Sequence, residues 1–339
     1  MDTPATTVDV QDPPAMPEAE SMARRWAALG QDVTLQGTVA HKGSRQTVAL
    51  YTTLTALLCL LGIRWPDQAL VCMVLIIWSA IVDLDGGRGW VRSILPTRAA
   101  HNVIIWPAKS NGPMLLVAAP MELEVPLRQA PAWVLRIPVG LLFLAAAGTV
   151  LMRSHPDIGH PTMLTSAICL GLVSLVAVCW PWLADQKLGG GNPARSALEI
   201  AVGQVQRAEL TRLRCAFAFI GGSLGHHDGL ETLLKNHRHR LRRDSTRVLV
   251  LQPDPDTLGV VHNEGRILSS DADPLLVGVL DTLGLAERRR TTAASRARRA
   301  GWRAAAMTVG PDQIHAAAAI VTALTQELDE GIVARSEER

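Results

Sequence analysis

Four long apolar runs, at residues 47–63, 68–82, 133–152 and 161–184, set the terms for everything else in this 339-residue chain. Each is about long enough to cross the roughly 30 Å of hydrocarbon in a bilayer, and a soluble fold has few places for four such helices. Their grouping matters as much as their length. Only Arg64-Trp65-Pro66-Asp67 separates the first two, and residues 153–160 join the second two, so the runs pair as tight helical hairpins. Arg136, the one charge inside a run, lies near its start, where a long side chain reaches the interface. Taken singly, each run also fits a buried core helix, the first most readily because Thr52, Thr53 and Thr55 lower its hydropathy. Taken as two pairs, they predict a multi-pass integral membrane protein with the lipid bilayer as its partner.

A hairpin returns the chain to the side it left, so the stretches before, between and after the hairpins can share one domain. In those stretches apolar strands at 102–106, 114–119, 215–220, 247–251 and 304–309 alternate with helical patterns at 194–207, 228–239, 274–285 and 312–328. That order predicts an α/β fold, a three-layer sandwich around a mostly parallel central sheet, interrupted by four transmembrane helices in two hairpins. The expected division is 1–18 as a disordered lead-in, 19–46 as the first part of the α/β domain, and 47–83 as the first hairpin. Then follow 84–131 as the second part, 132–184 as the second hairpin, 185–329 as the main part, and 330–339 as a charged tail.

A net charge of +2 carries no global bias toward a polyanion, although basic residues gather at 235–243, 288–290 and 296–299. A solvated helix end explains such runs, and anionic lipid head groups are the further partner they admit. Scarce aromatics near them argue against nucleic acid. The acidic, Pro-rich first twenty residues lack the basic and apolar regions of a signal peptide. Lys42, Arg45, Arg88, Arg92, Arg98, Arg128 and Lys187 flank the runs on the domain side, against Arg64 and Arg153 on the other. The positive-inside rule therefore places the domain on the cytoplasmic side of a bacterial-type cytoplasmic membrane. Cys59, Cys72, Cys169 and Cys179 fall in the apolar runs and Cys215 in a strand, without metal-type spacing. The runs carry too few ionisable residues to line a transport path.

Several segments, in order, resemble membrane-embedded members of the di-zinc aminopeptidase family, the relatives of aminopeptidase Y and glutamate carboxypeptidase. Leu95-Pro96-Thr97-Arg98 leading into His101-Asn102-Val103-Ile104 is similar to that family's approach to its first central strand, and His262-Asn263-Glu264-Gly265 to its turn after a later one. The resemblance implies hydrolysis of peptide bonds by two zinc ions held by His and carboxylate ligands, with a Glu as proton shuttle. It also implies where those groups should stand, and there this chain departs from the pattern. Pro120 occupies the place of the first His ligand, with Glu122 in that of a following Asp; Asn192, after Gly189-Gly190-Gly191, stands for the bridging Asp. Ser223 and Leu224 replace a Glu-Glu pair, general base and ligand. Gln252 replaces a ligating Asp, with Asp254 and Asp256 slightly beyond, and residues 291–295 supply neither an acid nor a His for the last ligand.

The expectation is therefore a membrane-anchored pseudoenzyme with no catalytic residue, metal ligand or cofactor, which binds a protein or peptide partner. Pro120, Glu122, Asn192 and Gln252 are then expected to line a degenerate cleft. The alternative is an active membrane metallo-aminopeptidase that holds zinc through other ligands. His226-His227-Asp228 offers metal-type side chains but, as neighbours on a turn, reads better as a polar turn with Asp228 capping a helix. The Gly189–Gly191 run lacks the Lys-Ser/Thr of a phosphate loop and reads as packing or a hinge.

Overall fold

The computed structural model describes residues 17–41, 44–84, 90–94, 97–108, 112–121, 132–183, 192–222, 228–254, 257–264, 270–288 and 292–337. Up to the second hairpin the elements are α1 (Pro17–Ala28), β1 (Asp32–His41), α2 (Ser44–Gly62), α3 (Pro66–Leu84), β2 (Thr97–Trp106), β3 (Met114–Pro120), α4 (Ala132–Ser154) and α5 (Pro156–Leu183). Beyond it come α6 (Pro193–Arg207), β4 (Arg214–Ile220), α7 (Asp228–Asn236), β5 (Thr246–Pro253), β6 (Gly259–Val261), β7 (Asn263–Glu264) and β8 (Ser270–Asp271). The chain closes with α8 (Pro274–Thr282), β9 (Glu287–Arg288), α9 (Ala293–Arg299), β10 (Arg303–Val309) and α10 (Ile314–Glu337), the last running through most of the stretch expected as a charged tail.

Strands from before, between and after the hairpins join one eight-stranded mixed sheet in the order β1-β2-β4-β3-β5-β10-β6-β9. Its centre, β4-β3-β5-β10, is parallel, while β2 and β6 run against that centre where they border it. β3 is buried along its whole length, as a central parallel strand covered on both faces must be. Its alternate residues then divide between two cores: Leu115, Val117 and Ala119 face α1, α6, α8 and α10, whereas Met114, Leu116 and Ala118 face α7 and α9. The expected three-layer α/β fold is present. Short strands β6 to β9 were not foreseen, because two or three residues give no readable period, nor was α9, whose seven residues make only about two turns.

The four apolar runs are helices, and they form a bundle in which α2 packs on α3 and α5, and α4 on α3 and α5. Gly159 lets the second hairpin turn tightly, since a Cβ there would lie 2.3 Å from the Met152 nitrogen. The expectation of four spans needs correcting. Among the described residues, Pro66–Asp83 and Pro156–Val176 are long and apolar enough to cross a membrane, whereas the apolar stretches Ala49–Gly62 and Gly140–Ser154 are shorter than a span.

The bundle carries large apolar side chains on its outer face as well as inside, where Met73, Met163 and Leu170 are buried. Leu57, Val71, Val74, Trp78, Phe143, Ile168, Leu172 and Leu175 are exposed, while Tyr51, Thr52, Thr55, Ser79, Asp83, Thr149 and Ser166 are buried. The Tyr51 hydroxyl donates to Asp83 Oδ2 at 2.5 Å and lies 2.8 Å from Ser79 Oγ, which also accepts from the Val91 nitrogen at 3.2 Å. Thr149 Oγ1 donates to the Ala145 carbonyl at 2.7 Å.

Candidate functional site

In an open α/β sheet the loops beyond the carboxyl ends of the parallel strands are the usual place for a site. Both hairpins also leave from this edge. His41, closing β1, is paired with Thr97, opening β2, and the first hairpin lies between them; the second lies between the end of β3 and the start of α6. The two hairpin tips meet at the other end of the bundle, where Arg153 and Asp67 form an ion pair at 3.3 Å.

Of the residues expected to gather at this edge, Pro120 and Asn192 touch. Asn192 is the N-cap of α6, and Pro193 fits the first helical turn, where a missing N–H costs nothing. Its Oδ1 accepts from the nitrogens of Ala194 at 3.1 Å and Arg195 at 3.2 Å, and its Nδ2 donates to the Pro120 carbonyl at 2.6 Å. An asparagine suits this position because one end of its side chain accepts and the other donates. Gln252, one strand away beside Thr308, shares with Pro120 a cavity of about 10 Å³, which Ile220, Leu230 and Ala293 also line. A single water needs that much room. Glu122, Ser223, Leu224, His226, His227, Asp256 and the Gly189–Gly191 run lie outside the described residues, as does the side chain of Asp228.

The best-organised polar group at this edge is one sequence reasoning quoted but gave no role. Asn102 is fully buried in β2; its Nδ2 donates to Gln36 Oε1 at 3.2 Å and to the Gly229 carbonyl at 2.9 Å, and its Oδ1 accepts from the Gly221 nitrogen at 3.0 Å. It ties β1, β2, the end of β4 and the start of α7 together. Gly221 and Gly229 allow this, since a Cβ on either would come within 2.2 Å of a carbonyl oxygen. Next to Asn102, His101 is buried, with no hydrogen-bond partner for Nδ1 among the described residues. Asp254 is buried just past β5, its nitrogen donating to the Val309 carbonyl at 2.8 Å.

The residues placed here do not fit a di-zinc centre. Such a centre needs several His or carboxylate donors converging on each ion; Pro120 has no donor side chain, and Asn192 uses both ends of its own. Among the described residues no three His, Cys, Asp or Glu side chains gather.

The basic runs lie elsewhere. Residues 235–243 precede β5, so they stand at the amino-terminal edge of the parallel strands, opposite the hairpins. Arg240 is paired with Asp32 at 3.2 Å and lies 4.9 Å over the Trp106 ring, and Arg243 lies over Trp302. Arg296 is buried against Glu231, and Arg298 bonds Ser270 Oγ and the Ala304 carbonyl, so these two guanidinium groups hold the fold together. At the same edge Asp329 of α10 clamps the approach to β4: its carboxylate accepts from the nitrogens of Thr211, Arg212 and Leu213 and from Thr211 Oγ1, at 2.5–2.7 Å. Burial pushes its pKa up, but these four bonds outweigh that and hold it down at about 2. Cys215 is pushed up to about 12 by burial and by the Asp329 charge, which leaves it an inert thiol.

No protein-family model and no curated protein matches the chain. Among solved structures it is similar to the zinc aminopeptidase BSAP from Bacillus subtilis, at 11% identity and a TM-score of 0.32, over 69% of this chain and 52% of that one. It is also similar to the LapA aminopeptidase of Legionella pneumophila, at 9% identity and a TM-score of 0.31, over 79% of this chain and 64% of that one. The chain thus spans between about half and two thirds of these structures. At that level of superposition the likeness carries no statement about chemistry.

Proposed function

We propose that this chain is a membrane-anchored, aminopeptidase-like α/β protein that works by binding a protein or peptide partner and not by metal-dependent hydrolysis. The observation that carries the second half is Asn192. Where the resemblance asks for a carboxylate shared by two metals, this side chain caps α6 and holds the Pro120 carbonyl. Between Pro120 and Gln252 the described residues leave a cavity of about 10 Å³, lined by Ile220, Leu230 and Ala293. Anchoring is supported by the outer face of the bundle: Leu57, Val74, Trp78, Phe143 and Leu172 are turned outward, an arrangement that is stable when the surroundings are hydrocarbon.

The test is metal analysis and peptidase assay on the full chain purified in detergent. The expected result is substoichiometric zinc and no chelator-sensitive cleavage of aminoacyl substrates. Two zinc ions per chain with activity abolished by chelator would establish the active enzyme instead. Anchoring is tested separately: the chain stays with membranes through alkaline carbonate washing, and its release into the supernatant would refute the anchor.

A further inference from the structure

Between the first hairpin and β2 the chain makes one short helical turn, Val91–Ile94, that belongs to the bundle and not to the sheet. Val91 is buried with Tyr51, Ile76, Ala80 and Leu142. Its nitrogen donates to Ser79 Oγ, so the turn is fastened to the Tyr51–Ser79–Asp83 cluster. The flanking side chains point away from that plug. Trp90 is 51% exposed, Ile94 is 63% exposed, and the Trp90 indole nitrogen donates to the Leu75 carbonyl at 3.4 Å. Trp90 thereby continues the outward apolar surface of α3, where Val71, Val74, Leu75 and Trp78 are all exposed.

The geometry points to this turn as an interfacial foot, with Trp90 and Ile94 seated in the boundary between lipid head groups and acyl chains. The inference rests on the reading of the bundle as lipid-facing and adds where the boundary falls. Two observations place it toward the domain-side end of α3. Outside the bundle, Trp78 and Trp90 are exposed, and tryptophan, apolar with one N–H, favours this boundary. Inside, the buried polar cluster of Tyr51, Ser79 and Asp83 begins at this same end of α3. The far boundary is marked by exposed Trp65 and by the Asp67–Arg153 pair at the tips. A foot there holds the carboxyl edge of the sheet close to the head groups: two residues separate β1 from α2 and reach at most about 10 Å.

The experiment uses the full chain in phosphatidylcholine vesicles, with nitroxide quenchers placed near the head group or deep in the acyl chain. The contribution of each tryptophan is taken as the difference between the wild type and Trp90→Phe or Trp78→Phe. Trp90 is expected to be quenched about two-fold more by the shallow label than by the deep one, as an interfacial ring should be. If Trp78 is quenched and Trp90 is not, the foot is overturned while the membrane reading stands. If neither is quenched by any lipid label, the bundle is not in lipid and both readings fall.

Discussion

In the sheet, Phe219, Leu116 and Leu249 are enclosed between two layers of helix, whereas in the bundle Phe143, Leu172 and Trp78 face outward and Tyr51, Thr55 and Asp83 are inside. The same residue types are distributed differently in the two regions. What differs is where the backbone polar groups find partners: the sheet shares them between strands, and the bundle satisfies them within each helix. That leaves the bundle's side chains free to point apolar groups at their surroundings.

The contrast is broken most sharply by truncating one large apolar side chain in each region. Phe219→Ala is expected to cost about 3–5 kcal/mol through the cavity it leaves. Leu172→Ala, on the outer face, is expected to stay within about 0.5 kcal/mol in detergent or lipid. Denaturant unfolding of the two variants measures both, and equal losses would mean that Leu172 is packed against protein. The next effect is confined to the sheet domain. Asp329 has a folded pKa lowered to about 2, so its contribution is complete above the ordinary carboxylate value near 4 and disappears as the pH falls from there through about 2. The expected size is about 2 kcal/mol, and Asp329→Asn removes that acid dependence in a melting series between pH 5 and pH 2. The smallest effect sharpens the bundle side. Tyr51→Phe deletes the hydroxyl between Ser79 and Asp83 and is expected to cost about 1 kcal/mol of heat stability in detergent. A loss above about 3 kcal/mol would show that the hydroxyl's bonds to Ser79 and Asp83 hold the whole cluster in place.

Much of the sheet was legible because its central strands are continuous apolar runs. Residues 114–119, 215–220, 247–251 and 304–309 all fall within observed strands, since burial on both faces leaves no polar alternation to confuse the pattern. The hairpin helices were legible for a similar reason, as uninterrupted apolar runs: 47–63 and 68–82 fall on α2 and α3 almost end to end. At the site, sequence found Pro120 and Asn192 as neighbours but not what they do to each other. That Asn192 is a cap with both ends occupied depends on where the Pro120 carbonyl points, which only the assembled sheet decides. Asn102 was quoted as part of a motif and given no role, because its partners Gln36, Gly221 and Gly229 come from three distant parts of the chain. The basic runs misled in the opposite sense: Arg296 and Arg298 look like surface charge in sequence and are fastened into the fold.

The threading of the sheet has a consequence for how it is made. β3 lies between β4 and β5, yet it leaves the ribosome before either, and its second partner is complete only when Pro253 has been added. At about 5–20 residues per second, a fully apolar strand waits on the order of ten seconds without a neighbour. The next elements synthesised after it are α4 and α5, so the second hairpin is made while the centre of the sheet is still open on both sides.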